Sequence, residues 1–165
     1  MTTLTKILVA TDFSEASDAA LAYGRELAAR FNATLDVLHV AENIYITTFG
    51  AENYVGLAPE LQAEIETSAR IRLEQLVAVS DGSGPRTTPV VITSASPAFA
   101  IIDYAGEHGI DLIVMGTHGR GALAHLVMGS VAEKVVRLAP CPVLTVRHAG
   151  HASIRPDTPA VVAHA

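Results

Sequence analysis

The chain has 165 residues, of which 50% are hydrophobic and 17% are charged, and its formal net charge is −6. This length suits one domain with a sizeable core, and the composition excludes a disordered chain, a membrane span and, through its acidic balance, non-specific nucleic-acid binding. The single cysteine, Cys141, excludes an intramolecular disulfide, and residues 1–12 lack the pattern of a signal peptide, so we expect a cytoplasmic protein.

The first quarter of the chain predicts a strand, a helix and a second strand. Residues 6–10 are a short apolar run bounded by polar residues, and residues 34–40 are another. Between them, residues 14–31 have the period of an amphipathic helix, with Ser14 as N-cap and Asn32 as the C-terminal stop. Its predicted buried face is formed by Ala20, Leu21, Gly24, Leu27, Ala28 and Phe31. Because no tight hairpin turn joins the two strands, we expect them and the helix to form a right-handed βαβ unit with parallel strands.

The second quarter begins with residues 41–58, which have no period and predict a long surface excursion. A helix is predicted from Pro59 to Ser80, since proline is favoured in a first turn. Its predicted buried face is formed by Leu61, Ile65, Ala69, Leu73 and Leu76. Residues 88–94 then predict a third strand.

A third helix is predicted over residues 96–109, with Ser96 as cap, proline at the first helical position and Gly109 at the end. A fourth strand over 111–116 follows, and after a glycine-rich stretch come a helix over 130–139 and a fifth strand over 142–146. This alternation of strands and helices predicts a parallel sheet with helices on both faces. Residues 1–148 therefore form the predicted domain, and 149–165 a flexible tail outside its core.

The glycine-rich stretch GTHGRGALAHLVMGS, residues 116–130, fails three known templates. A P-loop requires a lysine after its last glycine, and none is present. The run 119–124 matches the dinucleotide pattern G-x-G-x-x-G/A, but no acid follows at the distance that holds the ribose. His118 and His125 lie seven residues apart with no nearby carboxylate or thiol, which disfavours a metal loop. The stretch does leave the carboxyl end of a predicted strand, where ligands of such sheets bind.

What remains is a spacing, in which two residues separate Gly116 from Gly119 and nine separate Gly119 from Gly129, which Ser130 follows. Glycine allows a close approach of the backbone to a ligand and a positive φ angle. Gly129 and Ser130 open a helix whose N–H groups favour an anion. Ser130 and Glu133 also have the spacing of a capping box, so Ser130 is a helix cap, a phosphate ligand or both.

The pattern G-2x-G-9x-G-[S/T] after an apolar strand resembles the universal stress protein family. The blocks ILVATDFSEAS, LDVLHV and SVAEKVVRLAPCPVLTVR are also similar to it, and together they cover about residues 4–147. The resemblance implies a Rossmann-like, adenine-nucleotide hydrolase-like α/β fold, an open five-stranded parallel sheet with strand order 3-2-1-4-5. It also implies a homodimer through the last strand, about residues 142–147. Members that keep the glycine pattern bind ATP, and this sequence keeps every position of it.

Carried over by position, the resemblance implies two groups of nucleotide contacts. Around the adenine and ribose it implies Ala10, Thr11, Asp12, Val40, Met115 and Gly116. Around the phosphates it implies Gly119, Arg120, Gly129, Ser130 and Val131. Asp12 has further readings from the residues alone, as a helix cap or a Mg²⁺ ligand, and we favour the sugar or base side because an acid repels phosphate. The protein alone offers no other metal ligand set.

The function that we expect from the sequence is that of an ATP-binding stress or regulatory protein that acts as a nucleotide-occupied homodimer. The ligand is ATP, ADP or AMP, with Mg²⁺ carried by the nucleotide, and the regulatory protein partner is unknown. The alternatives are a slow Mg-dependent ATP hydrolase, with Asp12 and Mg²⁺ placing a water, and a nucleotide-independent dimeric interaction module. No nucleophile–base pair is visible, and we interpret Cys141 and His39 as packed residues.

Overall fold

The structure is a computed structural model that describes residues 3–44, 58–78, 84–117 and 129–147. Within these ranges lie nine elements of secondary structure. The strands are β1 Lys6–Ala10, β2 Thr34–Glu42, β3 Thr87–Ser94, β4 Leu112–Gly116 and β5 Val143–Val146. The helices are α1 Glu15–Phe31, α2 Ala58–Ala78, α3 Pro97–Glu107 and α4 Ser130–Leu138.

The five strands form one parallel sheet with the order β3-β2-β1-β4-β5. This order confirms the fold that the family resemblance implies. The side chains of β1 and β4 are almost entirely buried, because both strands lie in the middle of the sheet with helices on each face. Their near-continuous apolar runs are the sequence signature of such strands.

Two hydrophobic clusters lie on the two faces of the sheet. The first joins alternate strand residues, among them Leu8 and Ile113, to buried residues of α3 and α4. The second joins Ile7, Val9 and Val114 to buried residues of α1 and α2. The helices therefore fall into two pairs, with α1 and α2 on one face and α3 and α4 on the other.

The ends of the helices agree in most respects with the sequence signals. The Ser14 side chain accepts a hydrogen bond from the Ser17 N–H at the start of α1, and Asn32 ends this helix in the left-handed conformation. Gly109, with φ of +62°, lies just after α3. Ser96 occupies the N-cap position of α3, but its hydroxyl makes no capping hydrogen bond. Ser96 is therefore the N-cap residue, as predicted, but its side chain does not form the hydrogen bond expected of a cap.

The predicted apolar faces are wrong at two helix ends. Phe31 is 51% exposed, because Ala28 and Ala33 already fill the buried positions where α1 ends. Leu61 in α2 is 49% exposed, and its polar neighbour Gln62 is buried in its place. Residues 41 and 42, predicted as loop, extend β2, because β3 is long enough to pair with them.

A buried polar pair ties α3 to the middle of the sheet. The Tyr104 hydroxyl donates a hydrogen bond of 3.0 Å to Asp36 Oδ2, and both residues are buried. Burial, together with the negative charge of Asp36 and the hydrogen bond to it, raises the pKa of Tyr104 to about 12. The pKa of Tyr104 is raised in the folded state only. The stability contributed by its protonated hydroxyl is therefore present below pH 10 and is lost as the pH rises to about 12.

Removing the Tyr104 hydroxyl leaves the buried Asp36 carboxylate without this donor. We therefore expect Tyr104→Phe to lower the free energy of unfolding at pH 7 by about 1–3 kcal/mol, the usual cost of an unsatisfied buried polar group. Urea unfolding measures this change, with the exposed Tyr23→Phe as control. In absorbance titrations, the difference between wild type and Tyr104→Phe should rise near pH 12. A step near pH 10 would contradict the buried hydrogen bond.

In the described parts of the chain, no helix combines the length and the apolar character that a membrane crossing requires.

Candidate functional site

The carboxyl ends of β1 and β4 meet near the middle of the sheet. Ala10 and Met115 are partners in the register, so the two strands lie about 4.8 Å apart there. The chain leaves β1 towards α1 on one face, and it leaves β4 towards α4 on the other. Connections that diverge in this way open a crevice at the edge of the sheet, which is where open α/β sheets bind ligands.

Four of the predicted site residues lie together on the α3 and α4 side of this crevice. Ala10 and Met115 belong to the first hydrophobic cluster, and Val40 and Val131 pack against it, each partly buried. They come from β1, β4, β2 and α4, so only the folded sheet assembles them. The result is an apolar surface of the kind that lines small-molecule sites.

Val40 offers its backbone to the crevice. The Leu38 carbonyl accepts a hydrogen bond of 2.9 Å from the Thr11 N–H, so the backbone groups of Leu38 face β1. Alternate residues of a strand direct their N–H and C=O groups to the same side. Those of Val40 therefore face the side of β1 as well, beyond Ala10, where β1 ends. Val40 thus presents one donor and one acceptor that β1 cannot pair.

A hydrogen-bond network fixes the chain where it leaves β1. The buried Thr11 hydroxyl accepts a hydrogen bond of 3.0 Å from the Phe13 N–H and lies 3.0 Å from Ser17 Oγ. The Thr11 carbonyl lies 2.9 Å from His39 Nδ1, and because a carbonyl only accepts, this nitrogen carries the proton. His39 is thus packed and hydrogen-bonded, as we interpret it from the sequence. The sequence pattern missed Ser17 and Phe13, because only the turn brings them to Thr11.

Asp12 does not cap α1. Its Oδ1 accepts hydrogen bonds from the Ser14 N–H at 3.1 Å and from the Ser14 hydroxyl at 2.6 Å, and Ser14 is the N-cap. The reading of Asp12 as a helix cap is therefore wrong. The carboxylate is instead held by a tight turn at the end of β1, where it is partly buried. Asp12 is the first acidic residue after β1, and it lies where the chain leaves this strand beside the crevice.

Gly116 allows a close approach within the protein rather than an unusual backbone angle. A Cβ placed on it would lie 3.0 Å from both the backbone carbon and the Cβ of Ala16 in α1. Among the described glycines only Gly109 has a positive φ, so the predicted use of Gly116 for φ > 0 is wrong. Glycine is favoured at position 116 because the first turn of α1 packs closely against the end of β4.

The two ends of the glycine-rich stretch are joined by a hydrogen bond. The Gly129 N–H donates to the Thr117 carbonyl at 2.7 Å, and the Thr117 N–H donates to the Val146 carbonyl at 2.9 Å. Thr117 and Gly129, the described residues on either side of 118–128, therefore lie together beside the end of β5. Gly119 and Arg120, and also His118 and His125, lie outside the described residues.

Gly129, and not Ser130, is the N-cap of α4. Ser130 is the first helical residue, its side chain is exposed, and no side-chain hydrogen bond caps this helix. The capping-box reading of Ser130 and Glu133 is therefore wrong, because the helix begins one residue earlier than that pattern requires. Helix geometry leaves the first N–H groups of α4 without an intrahelical acceptor, and an anion is favoured at such an end.

A polar clamp fixes the far side of the crevice, where β2 ends. The Gln62 side chain of α2 accepts a hydrogen bond of 3.0 Å from the Ile44 N–H and donates one of 3.2 Å to the Glu42 carbonyl. This explains why Gln62 is buried and Leu61 is exposed. The periodicity of α2 could not reveal the clamp, because its partners are backbone groups of another element.

Glu66 extends this clamp to β3. Its Oε1 accepts hydrogen bonds from the Thr93 hydroxyl at 2.6 Å and from Gln62 Nε2 at 3.1 Å. The hydrogen bond from Thr93 contributes most to lowering the pKa of Glu66 below its usual range. The hydrogen bond from Gln62 and the positive charge of Arg70 lower it further. The Glu66 carboxylate is therefore ionised at neutral pH. Together with Gln62, it joins the ends of β2 and β3 to α2.

The described residues contain no group of three or more histidine, cysteine or acidic side chains that could hold a metal ion. Cys141 is partly buried against the first hydrophobic cluster. Burial, with the negative charge of Asp111, raises the pKa of the Cys141 thiol, although a backbone hydrogen bond with Ile113 opposes this. The thiol is therefore neutral at pH 7, which agrees with a packed residue and not with a nucleophile.

The strand order and the crevice between β1 and β4 define a doubly wound, Rossmann-like α/β protein. A family model described as the universal stress protein family matches residues 3–147. This chain belongs to the universal stress protein family.

Three relatives illustrate the similarity. Universal stress protein YxiE of Bacillus subtilis is 33% identical over 146 residues, which is 86% of this chain and 98% of the relative. The solved structure of protein MJ0577, from Methanocaldococcus jannaschii, has a TM-score of 0.77 at 27% identity and covers 88% and 97% of the two chains. A universal stress protein in complex with cAMP has a TM-score of 0.61 at 25% identity and covers 88% and 98%. The last of these binds an adenine nucleotide.

Proposed function

We propose that this protein binds an adenine nucleotide, ATP or its products ADP and AMP, in the crevice between β1 and β4. The observation that carries the proposal is the register of Ala10 with Met115, which brings the end of β1 beside the end of β4 at the reversal of strand order. A second support is the relative in complex with cAMP. The family pattern of three glycines, complete in this sequence, is a third.

The adenine is proposed to lie on the apolar surface and against Val40. The Val40 N–H and C=O match the acceptor and donor of an adenine edge, and the valine and methionine side chains suit a flat aromatic ring. The proposed sugar contacts are Asp12, Thr11 and Ala10 on one wall and Met115 and Gly116 on the other. A carboxylate only accepts hydrogen bonds, so Asp12 suits the ribose hydroxyls.

The phosphates are proposed to lie at the start of α4. The N–H groups and the dipole of the first helical turn stabilise an anion there, and the proposed contacts are Gly129, Ser130 and Val131. Gly119 and Arg120 complete the proposed set from the glycine-rich stretch. Mg²⁺ would enter with the nucleotide, coordinated by its phosphates, while Asp12 stays with the ribose hydroxyls. The ion would neutralise phosphate charge in a protein whose net charge is −6.

The chain is further proposed to act in the cytoplasm as a homodimer through β5, about residues 142–147. β5 is an edge strand whose outer side pairs with no other strand among the described residues, and Leu144 on it is 37% exposed. Val136 and Leu138 of α4 add further exposed apolar surface. In this proposal, nucleotide occupancy alters the dimer or its affinity for a regulatory partner during stress.

We expect Leu144→Lys to convert the dimer to a monomer, because it places a charge on the apolar edge strand without changing a buried position. Light scattering after size-exclusion chromatography measures the mass, with Leu61→Lys on α2 as the matched exposed control. The control should remain dimeric. A Leu144→Lys protein of unchanged dimeric mass would contradict the β5 interface, and a wild-type monomer would contradict the dimer itself.

The nucleotide proposal is tested by denaturing the purified protein and measuring the adenine absorbance of the released fraction, together with the thermal shift in Mg-ATP. We expect at least one of these to be positive. ADP formation over hours then separates a binder, which forms none, from a slow hydrolase. No released nucleotide and no thermal shift would leave only the nucleotide-independent interaction module.

A further inference from the structure

Phe13 has a backbone conformation that its side chain does not favour. Its φ is +62°, and the only other described residue besides glycine with a positive φ is Asn32, at the end of α1. Asparagine is common in the left-handed region at helix ends, whereas a bulky aromatic residue is a true outlier there. Such a conformation persists only where the surrounding contacts enforce it, and these contacts cluster at functional sites.

The Phe13 ring is held between two cationic or aromatic groups from distant elements. On the β2 side lies the His39 ring, with 4.3 Å between ring centroids and 37° between planes. On the α2 side, Arg72 Cζ lies 4.3 Å from the centroid of the Phe13 ring. His39 is itself fixed by its hydrogen bond to the Thr11 carbonyl. We call this arrangement, Arg72–Phe13–His39, the aromatic stack.

The aromatic stack acts on the residue that precedes Phe13 in the chain. Asp12 lies between Thr11, which the end of β2 fixes, and Phe13, which the aromatic stack fixes. Without the stack, the φ angle of Phe13 would relax towards negative values, because that region is favoured for every residue with a Cβ. The turn that holds the Asp12 carboxylate at Ser14 would then move.

We propose that Phe13 and Arg72 are positioning residues for Asp12, and that the aromatic stack holds this carboxylate where it accepts the ribose hydroxyls of the nucleotide. The inference rests on the proposed nucleotide site. It assigns a role to α2, a helix with no residue among the proposed nucleotide contacts. Neither residue touches the nucleotide in this proposal; both act through the geometry of the β1–α1 turn.

The test compares the affinities for Mg-ATP and for Mg-2′,3′-dideoxy-ATP, which lacks the ribose hydroxyls, by calorimetry. Arg72→Met keeps an unbranched stem and removes the cation. We expect it to weaken ATP binding about two- to fivefold, the range of an exposed cation–π contact. Phe13→Ala removes the ring and keeps a Cβ that disfavours a positive φ, so the turn should relax, and we expect a loss on the order of tenfold. Both variants should bind the dideoxy analogue almost as the wild type does.

Phe13→Gly separates strain from packing, because glycine adopts the left-handed region without penalty. We expect its ATP affinity to lie between those of Phe13→Ala and the wild type. Arg30→Met, an exposed arginine near the end of α1, is the matched control and should change neither affinity. Thermal melts establish that each variant is folded.

The outcomes separate this inference from the function on which it rests. Equal losses for ATP and the dideoxy analogue, or unchanged ATP affinity in both Arg72→Met and Phe13→Ala, would overturn the positioning role and leave the nucleotide site standing. A wild type that binds neither nucleotide would overturn the site itself and the inference with it.

Discussion

Gly129→Val should weaken ATP binding on the order of 100-fold, which corresponds to about 2.7 kcal/mol. The branched side chain would stand at the N-cap of α4, where the proposed phosphates meet the first N–H groups of the helix. Displacing an anion from one such donor costs about this much, because a hydrogen bond to a charged group contributes about 1.5–3 kcal/mol. Calorimetric titration with Mg-ATP measures the loss.

The fold should survive this substitution. Gly129 has φ of −72° and ψ of 153°, which is extended backbone that any residue adopts. We therefore expect a loss of about 1 kcal/mol in the free energy of unfolding, since valine is a poorer N-cap than glycine. Gly129→Ala is the graded control and should lie between valine and wild type in affinity. Wild-type ATP affinity in Gly129→Val would contradict the phosphate contacts at α4.

Gly24→Ala should lower the free energy of unfolding by about 1–3 kcal/mol, the usual cost of overpacking a core. Gly24 lies in the middle of α1 and packs directly on β1. A Cβ at this position would overlap Val9 Cγ2, and Val9 is fully buried in the centre of the sheet. The substitution would otherwise stabilise a helix by about 0.5–1 kcal/mol, so a net loss measures the tightness of this contact.

Gly106→Ala is the matched control for this substitution. It also lies within a helix, α3, but the nearest heavy atom to an added Cβ is Pro140 Cγ at 4.0 Å. Only the helix propensity then acts, and we expect a gain of about 0.5–1 kcal/mol. Urea unfolding of the two variants should give changes of opposite sign. A stabilised Gly24→Ala would contradict the packing of α1 on β1.

The periodicity of apolar residues and the residues that begin and end helices predicted most of the fold. The strand in β1 was predicted at its observed bounds, and Ser14 and Asn32 were predicted at the two ends of α1. These signals are local, since each depends on residues within a turn or a strand. The strand order could not be obtained from periodicity, because pairing depends on residues far apart in sequence, and the family resemblance supplied it.

The errors have a common physical origin in contacts between elements. Gln62 is buried because its side-chain amide accepts from the Ile44 N–H and donates to the Glu42 carbonyl at the end of β2, and a pattern of apolar residues cannot indicate such partners. Of the two roles left open for Ser130, helix cap and phosphate ligand, the cap is wrong, because the helix begins so that Gly129 takes the N-cap position. Gly116 was predicted to adopt a positive φ, but its φ is not positive, and its close contact with Ala16 accounts for the missing side chain.

The site shows the same division. Motif spacing could single out Gly129 and the acid after β1, and the register of Ala10 with Met115 brings together β1 and β4, the strands that precede them. Phe13 and Arg72, the proposed positioning residues, carry no motif, because they meet only after α2 packs on the sheet.

The most direct measurement is a calorimetric titration of the nucleotide-free wild-type protein with Mg-ATP, with Mg-GTP as the parallel probe. The Val40 backbone and the apolar surface beside it predict saturable binding of one ATP per chain and weaker binding of GTP, whose base edge reverses the donor and acceptor of adenine. An absence of saturable ATP binding at millimolar concentration would contradict a nucleotide site between β1 and β4.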